Sequence, residues 1–378
     1  MSANSDIRLD EAKAIPVRDV VDRVGVVGLR QMSGELIGPC PLCGGRDRFG
    51  VNLRSHKFQC RKCDVRGGDG IALVMQVLGY DFKAALTFLC GDAPAVIDPE
   101  EIARREAKAE QTKRQQEQAQ ARYRQNAIRD ALSIWQRSRP GAQGVVRSYL
   151  TARGFAPDLL RHLPNDLRFI WDHPYVKKID GALVTAHRGP CMIAAIRQPN
   201  GDISAVHQTW VDTSPPHGKA RIQHEGAALP SKMVRGSKKG GAIRLYTPKR
   251  FRTLVIGEGI ETTLTALVGW GDVLGLDQTA FWAGVDLGNM SGRMTKLEGT
   301  RFSGVPDMTD TDAFRPPPWI TREIYVQDGD SHAKATRAKL ECGLRRAMAT
   351  VPGLRAQIVH AGDGVDLNDV LTAGAQDD

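Results

Sequence analysis

Four cysteines packed into residues 40–63 constrain this chain more than any other feature of it. They form two knuckles, Cys40-Pro-Leu-Cys43 and Cys60-Arg-Lys-Cys63, with sixteen residues between them. Two Cys-x-x-Cys pairs separated by about 15–20 residues have the spacing of a structural zinc site. Four thiolates close a tetrahedral shell around Zn²⁺ and leave no open position for chemistry. Such a site supplies roughly 10–16 kcal/mol of apparent folding free energy. A small domain with a thin core needs that support. The seven cysteines (40, 43, 60, 63, 90, 191 and 342) are odd in number and clustered, unlike a secreted disulfide framework. Two incidental pairs, or a redox dithiol, stay open as the other reading. His56 lies between the knuckles, but the ligand count is complete without it.

The chain has 378 residues, which suggests two to three domains. Its apolar share of 41% and charged share of 25% are those of a globular protein, not a disordered one. No apolar run approaches the roughly 18 residues of a membrane span. The opening MSANSDIRLDEAKA has no hydrophobic stretch of the kind a secretory signal needs. The expectation is a cytoplasmic protein with no membrane association. A net charge of +9 points to a polyanionic partner, though net charge speaks to non-specific binding and not to fold.

The pattern divides the chain into four parts. Residues 1–92 form a zinc-binding domain with its ribbon at 34–70. Apolar positions at helical spacing around Val17, Val20, Val21 and Val24, and again over 71–90, flank the ribbon and can pack beneath it. Residues 93–140 form a charged helical linker. Over 99–126 helix formers dominate with almost no apolar stripe, and Glu100/Arg104, Glu101/Arg105 and Glu110/Arg114 are i,i+4 pairs with the acid first. A helix polar all round bridges domains in solvent, here as a spacer about 40 Å long; a flexible charged linker is the alternative. Residues 141–250 mix short strands (CMIAAIRQ, ISAVHQTWV) with basic, Gly-rich loops as an α+β subdomain. Over 251–378 strands alternate with helices: FRTLVIG, IETTLTALVGW, REIYVQ, SHAKATRAKLECGLRRAMA, AQIVH, DLNDVLTA. Alternation of this kind argues for a parallel sheet with crossover helices. The fold class is therefore α/β, in several domains.

Acidic residues follow each of those three strands. Glu258 follows LVIG, Asp328 and Asp330 follow IYVQ, and Asp366 follows IVHAGDGV. In open parallel sheets ligands sit outside the carboxyl ends of the strands. If adjacent strands pair, the acids converge on one edge. Two carboxylates about 4 Å apart repel by roughly 4 kcal/mol at an effective dielectric of 20, so convergence calls for a cation. Grouped hard oxygens suit Mg²⁺ or Mn²⁺, and two such ions stabilise the attacking and leaving oxygens of a phosphoryl transfer. The bland readings are local ones: Asp366 with Asp369 as a helix cap and box partner, Asp-Gly-Asp as a turn, Glu261 as second shell or merely solvated. Around the cysteines stand Arg46, Arg48, Lys57, Arg61 and Lys62, with Phe49 and Phe58 between them. Bases and aromatics together suit single strands, unless the phenylalanines fill the ribbon's core.

At these residues the chain resembles known families. GPCPLCGGRDRFGVNLRSHKFQCRKCDVRGGDGIALVMQVLGYDFKAALTFLCG looks like the zinc-ribbon domain of DnaG-type and phage or plasmid primases, and the GPCPxCGGxDRF wording is closer to primases of phages, satellite phages and integrated mobile elements than to the bacterial pattern, which often has a histidine ligand. LVIGEGIETTL, YVQDGDSHAKA and GVDLNDVL resemble, in order, the three acidic motifs of the TOPRIM domain, a Rossmann-like parallel sheet shared by primases, topoisomerases and some nucleases. The resemblance implies Glu258 as general acid/base or metal-poising group, Asp328 and Asp330 as metal ligands, and Asp366 as an accessory acid. It departs from the family at Thr262, where many primases have Asp; the acid here lies one residue earlier, at Glu261. A third stretch, CMIAAIRQPNGDISAVHQTWVD through KARIQHEGAALPSKMVRGSKKGGAIRL, resembles the region preceding TOPRIM in such primases. It implies that Lys219, Lys232, Arg235, Lys238 and Lys239 face nucleotide or template.

The function so implied is that of a DNA primase, a DNA-directed RNA polymerase making short RNA primers from NTPs on single-stranded DNA with one structural zinc and two Mg²⁺ or Mn²⁺ ions. No GxxxxGK[ST] loop is present, so a separate replicative helicase is the expected partner. A TOPRIM nuclease would use the same acids with water as nucleophile. A non-catalytic zinc/TOPRIM DNA-binding protein of replication or recombination would have no use for all three. A type I topoisomerase needs a large gate domain for which the chain is too short.

Overall fold

The computed structural model describes Asp6 and residues 8–92, 99–141, 144–156, 164–179, 181–214, 218–297, 300, 302–327 and 333–360. The chain divides into two compact units, Met1–Arg122 with Val176–Thr185, and Tyr123–Tyr175 with Ala186–Asp378.

The first unit begins with two short helices, α1 (Arg8–Ala14) and α2 (Val17–Arg23). An antiparallel sheet follows, with its strands side by side in chain order: β1 (Arg30–Met32), β2 (Glu35–Cys40), β3 (Gly44–Asn52), β4 (Phe58–Cys60) and β5 (Arg66–Gly67). Alternation in the strands sends Leu36 and Cys40, Phe49 and Val51, and Phe58 and Cys60 to one face. There they meet Val17, Val20, Val21, Ile71, Leu73, Val74, Leu86 and Leu89 in one core. The apolar run 71–90 is not one helix but two, α3 (Gly70–Leu78) and α4 (Phe82–Cys90), bent by 113°. Gly79 ends α3 at φ +70, and the Asp81 carboxylate caps α4 by accepting from the Ala84 N–H at 2.8 Å. The break lets both apolar faces reach the same core.

Helix α5 (Pro99–Arg137) has 39 residues and is about 58 Å long. The expected polar spacer is thus helical, with Glu110 and Arg114 paired at 2.6 Å on its exposed surface. The side chains of Glu100, Glu101 and Arg105 lie outside the described residues. The helix runs on to Arg137 because its last turns acquire an apolar face: Ala131, Ile134 and Trp135 are buried.

The second unit stacks two sheets. Strands β6 (Arg139–Pro140), β7 (Leu167–Ile179), β8 (Ala182–Arg197), β9 (Ile203–Trp210) and β12 (Lys232–Gly236) form an antiparallel sheet in the order β12-β9-β8-β7-β6; the segments 176–179 and 182–185 at the far end of the β7–β8 hairpin belong to the first unit. A small hairpin, β10 (Ile222–His224) with β11 (Ala227–Leu229), and helix α6 (Val145–Ala152) accompany it. The other sheet has the order β13-β15-β14-β16-β17, built from β13 (Ile243–Tyr246), β14 (Thr253–Gly257), β15 (Thr279–Ala283), β16 (Arg322–Gln327) and β17 (Arg355–His360). Its last four strands run parallel, with β13 antiparallel on the edge. Helices α7 (Ile260–Leu274), α8 (Leu287–Ser291) and α9 (Ala333–Thr350) make the connections. The strand β15 and the edge strand β13 are absent from the sequence reading. DLNDVLTA lies outside the described residues.

Alternation assigns each strand's side chains to two layers. Met192, Ala194 and Ile196 of β8, Val255 of β14 and Ile324 of β16 share a central core with Tyr149 and Leu264. Cys191, Ile193 and Ala195 face the other way, toward Trp135 and Trp210. Leu254, Ile256 and Tyr325 face Leu340 and Leu344 of α9. Among the described residues no single helix is long and apolar enough to cross a membrane.

Candidate functional site

The strand β14 pairs with β16 in parallel register, Ile256 opposite Tyr325. Their carboxyl ends are neighbours, and the chain order reverses between them, the place where open α/β sheets bind ligands. Glu258 stands one residue past Gly257, the end of β14. A Cβ on Gly257 would lie 2.6 Å from the Thr263 hydroxyl, so only glycine lets α7 start this close to the strand. Thr263 secures the turn by donating its hydroxyl to the Gly259 carbonyl at 2.7 Å. Asp328 and Asp330 follow Gln327 in the sequence, and Asp366 follows β17; all three lie outside the described residues.

Glu258 lines a cleft of about 300 Å³ with Arg153, His207, Lys219, Lys232, Glu261 and Val285. Val285 holds φ +76, an outlier for a β-branched residue, in the turn between β15 and α8. Backbone strain of this kind collects at ligand sites.

Glu261 is not solvated, although it stands on the wall of the cleft. It is 7% exposed and receives the Tyr149 hydroxyl at 2.6 Å. Lys232 Nζ lies 3.3 Å from one of its oxygens and Lys219 Nζ 3.7 Å from the other. Burial alone would raise this acid, but Lys232, Lys219 and the Tyr149 hydroxyl bring it down to about 2. Burial, with Lys232 and Arg153 nearby, holds Lys219 below the ordinary lysine range against the pull of Glu261. Burial and Lys232 push His207 down to about 4, so it is neutral at pH 7. The cleft therefore carries three cations, two of them tethered to one buried carboxylate, beside Glu258. Lys219 and Lys232, singled out from the sequence, line the cleft with Glu258, whereas Arg153 and Tyr149 were not singled out there. Their i,i+4 spacing along the end of α6 was the only local signal.

The other basic candidates go elsewhere. Arg235 is on β12, where alternation turns it to the face opposite Lys232. Lys238 and Lys239 border a separate cleft of about 610 Å³. There Lys238 pairs with Asp286 and Lys239 with Asp312.

In the first unit the four cysteine sulfurs lie within 4.8 Å of one another, and none is in a disulfide. Cys40 and Cys63 are 3.7 Å apart and Cys43 and Cys60 3.6 Å. A tetrahedron with Zn–S bonds of about 2.3 Å has edges of about 3.8 Å, so the sulfurs are placed to hold a zinc ion. Burial alone would raise the Cys60 thiol, yet the N–H groups of Cys63 and Lys62 donate to its sulfur and bring it down to about 6. Arg46, Lys57, Arg61 and Lys62 are exposed and Arg48 is half-buried. Phe49 and Phe58 are both buried, with centroids 6.0 Å apart, so they fill the core and are not free to stack on bases. His56 stands in a turn at φ +58.

Residues 125–245, less than half of the chain, match a family model described as a domain of unknown function, DUF7146. No curated protein matches the sequence. Among solved structures the chain is similar to the zinc-binding and RNA polymerase domains of the Aquifex aeolicus primase, at 16% identity over 99% of this chain and 84% of that one, with a TM-score of 0.37. It is similar to a DNA primase domain from Pseudomonas aeruginosa at 14% identity over 65% and 74%, TM-score 0.37. It is similar to the E. coli primase catalytic core at 16% identity over 61% and 70%, TM-score 0.33. These scores are low, and function has to be read from the side chains.

Proposed function

We propose that the chain is a DNA primase of the mobile-element kind, with residues 251–378 as its TOPRIM domain. The observation that carries this reading is the placement of Glu258. It sits at the carboxyl end of β14, in a cleft with Lys219, Lys232 and Arg153, beside the strand whose sequence continues as Asp328-Gly-Asp330. The nucleotide's triphosphate would lie against the three cations. Glu258, Asp328, Asp330 and Asp366 would offer the hard oxygen donors that Mg²⁺ or Mn²⁺ require. Two such ions, when bound, activate the 3′-hydroxyl and neutralise the leaving pyrophosphate. The 3′-hydroxyl would give its proton to Glu258 as general base while its oxygen attacks the α-phosphorus; the bond from that phosphorus to the bridging β-phosphate oxygen breaks, and pyrophosphate leaves. His207, neutral at pH 7, adds no charge that would oppose the metals.

In this reading the zinc ribbon, with Arg46, Arg48, Lys57, Arg61 and Lys62, holds the single-stranded template by phosphate neutralisation, and α5 tethers it. A separate replicative helicase is the expected partner. The experiment is NTP incorporation on single-stranded DNA with Mg²⁺ or Mn²⁺. Short labelled RNA is the expected product, abolished by Glu258→Gln with DNA binding retained. Shortened DNA and no RNA would mean a nuclease. Equal synthesis by Glu258→Gln would remove the catalytic assignment.

A further inference from the structure

The turn Lys238-Lys239-Gly240-Gly241 is rigidly built. The Gly241 N–H donates to the Lys238 carbonyl at 3.0 Å, and Gly240 takes φ +72. Gly241 is closely covered, since a Cβ there would meet Ile196 at 2.7 Å. The buried Asn289 side chain staples the turn, accepting from the Gly240 N–H at 2.9 Å and donating to the Gly241 carbonyl at 2.8 Å. Two ammonium groups thus leave a fixed backbone and meet two carboxylates. The carboxylates differ. Asp286 is anchored, because its other oxygen caps α8 by accepting from the Asn289 N–H at 2.9 Å. Asp312 has no such anchor. Its side chain is 41% exposed and touches Lys239, 58% exposed, and Arg124, 46% exposed, at 3.7 Å. Its backbone N–H donates to the Asp310 carboxylate at 3.0 Å, but among the described residues no further hydrogen bond or ion pair holds its own carboxylate.

We infer that Asp312 is a displaceable counter-ion that guards a strand-binding surface formed by Lys239 and Arg124, and that the phosphate backbone of single-stranded DNA takes its place. This rests on the primase reading for the identity of the strand. Exposed ion pairs contribute little, whereas a strand brings several phosphates and releases counter-ions as it binds. The polyanion therefore wins the exchange. The contrast with Glu261 sets the rule: a carboxylate whose side chain is 9% exposed and hydrogen-bonded by Tyr149 stays with its lysines, and one 41% exposed gives its partners up.

The test is fluorescence anisotropy of a labelled oligothymidylate with the full chain at low salt. Asp312→Asn should tighten binding about two- to fivefold. Asp277→Asn, which removes one exposed charge from the turn after α7, should change it much less. Lys239→Ala should weaken binding, and in that background the Asp312→Asn gain should shrink to the Asp277→Asn level. Asp312→Ser serves as a second variant should the amide disturb the loop. A gain no larger than the control, or one that persists without Lys239, overturns the inference. Absence of binding by every variant overturns it too, while the primase reading is judged separately by NTP incorporation.

Discussion

Glu261 and Glu323 are both buried glutamates, and their surroundings send them in opposite directions. Glu261, held by two lysines and a tyrosine, is lowered to about 2. Its contribution to stability is therefore present above the unfolded value near 4.5 and is lost as pH falls through about 2. Glu261→Gln should lower stability at pH 7 by about 2 kcal/mol, less than the roughly 3–5 of a fully buried pair because the lysines reach solvent. The gap in urea midpoint between variant and wild type should close as pH falls from about 4.5 to 2. Glu323, on β16 under α9, is fully buried, and neither oxygen has a hydrogen-bond partner. Burial pushes it to about 8. A raised value means stability that is complete below the unfolded value and lost as pH rises through about 8. Glu323→Gln should therefore gain Tm over wild type as pH rises from about 4.5 to 8, and an unchanged difference across that range would show that the carboxyl is solvated. Neither environment is written near either residue: the Glu261 partners Tyr149 and Lys232 are 112 and 29 positions away in sequence.

At the scale of elements, local chemistry was legible where it is periodic or punctuated. REIYVQ reads as a strand from its place in a strand–helix succession and is one to the residue. The helical spacing over 71–90 is realised as two helices, because Gly79 and Asp81 act as stop and start signals within the apolar period. TAFWA was missed as β15 because a five-residue apolar run carries no alternation to announce it. The zinc knuckles hold the sheet of the first unit together, with Cys40 and Cys60 buried in its core. Metal analysis should find one zinc per chain, and Cys60→Ser should lose it. Circular dichroism should then show melting of the first unit's structure at a lower temperature, with the transition of the second unit unmoved. At the other site, Gly257→Ala should force α7 away from β14 and cost NTP incorporation at least about tenfold, since its Cβ has no room beside Thr263.

For the whole molecule, the excess of positive charge matters through where it is left uncompensated. Lys219, Lys232, Lys238 and Lys239 are each met by a carboxylate of the same chain. Arg46, Lys57, Arg61 and Lys62 on the ribbon are exposed. Oligothymidylate affinity should fall steeply with added salt. Arg61→Ala combined with Lys62→Ala should reduce the slope of log K against log salt by about 2, because each cation removed leaves one phosphate with its counter-ion still condensed. An unchanged slope would move the strand off the ribbon.

The amino-acid sequence alone determined the four-cysteine centre, the parallel strands and the position of Glu258 at a strand-to-helix corner. Each is encoded within a turn or a strand, by spacing, alternation and a glycine. Only the tertiary structure decided which lysine meets which acid, that Arg153 joins the cleft while Tyr149 holds Glu261 from the core, and that Phe49 and Phe58 are core. Those facts depend on sheet register and layer packing, which bring together side chains separated by tens of residues.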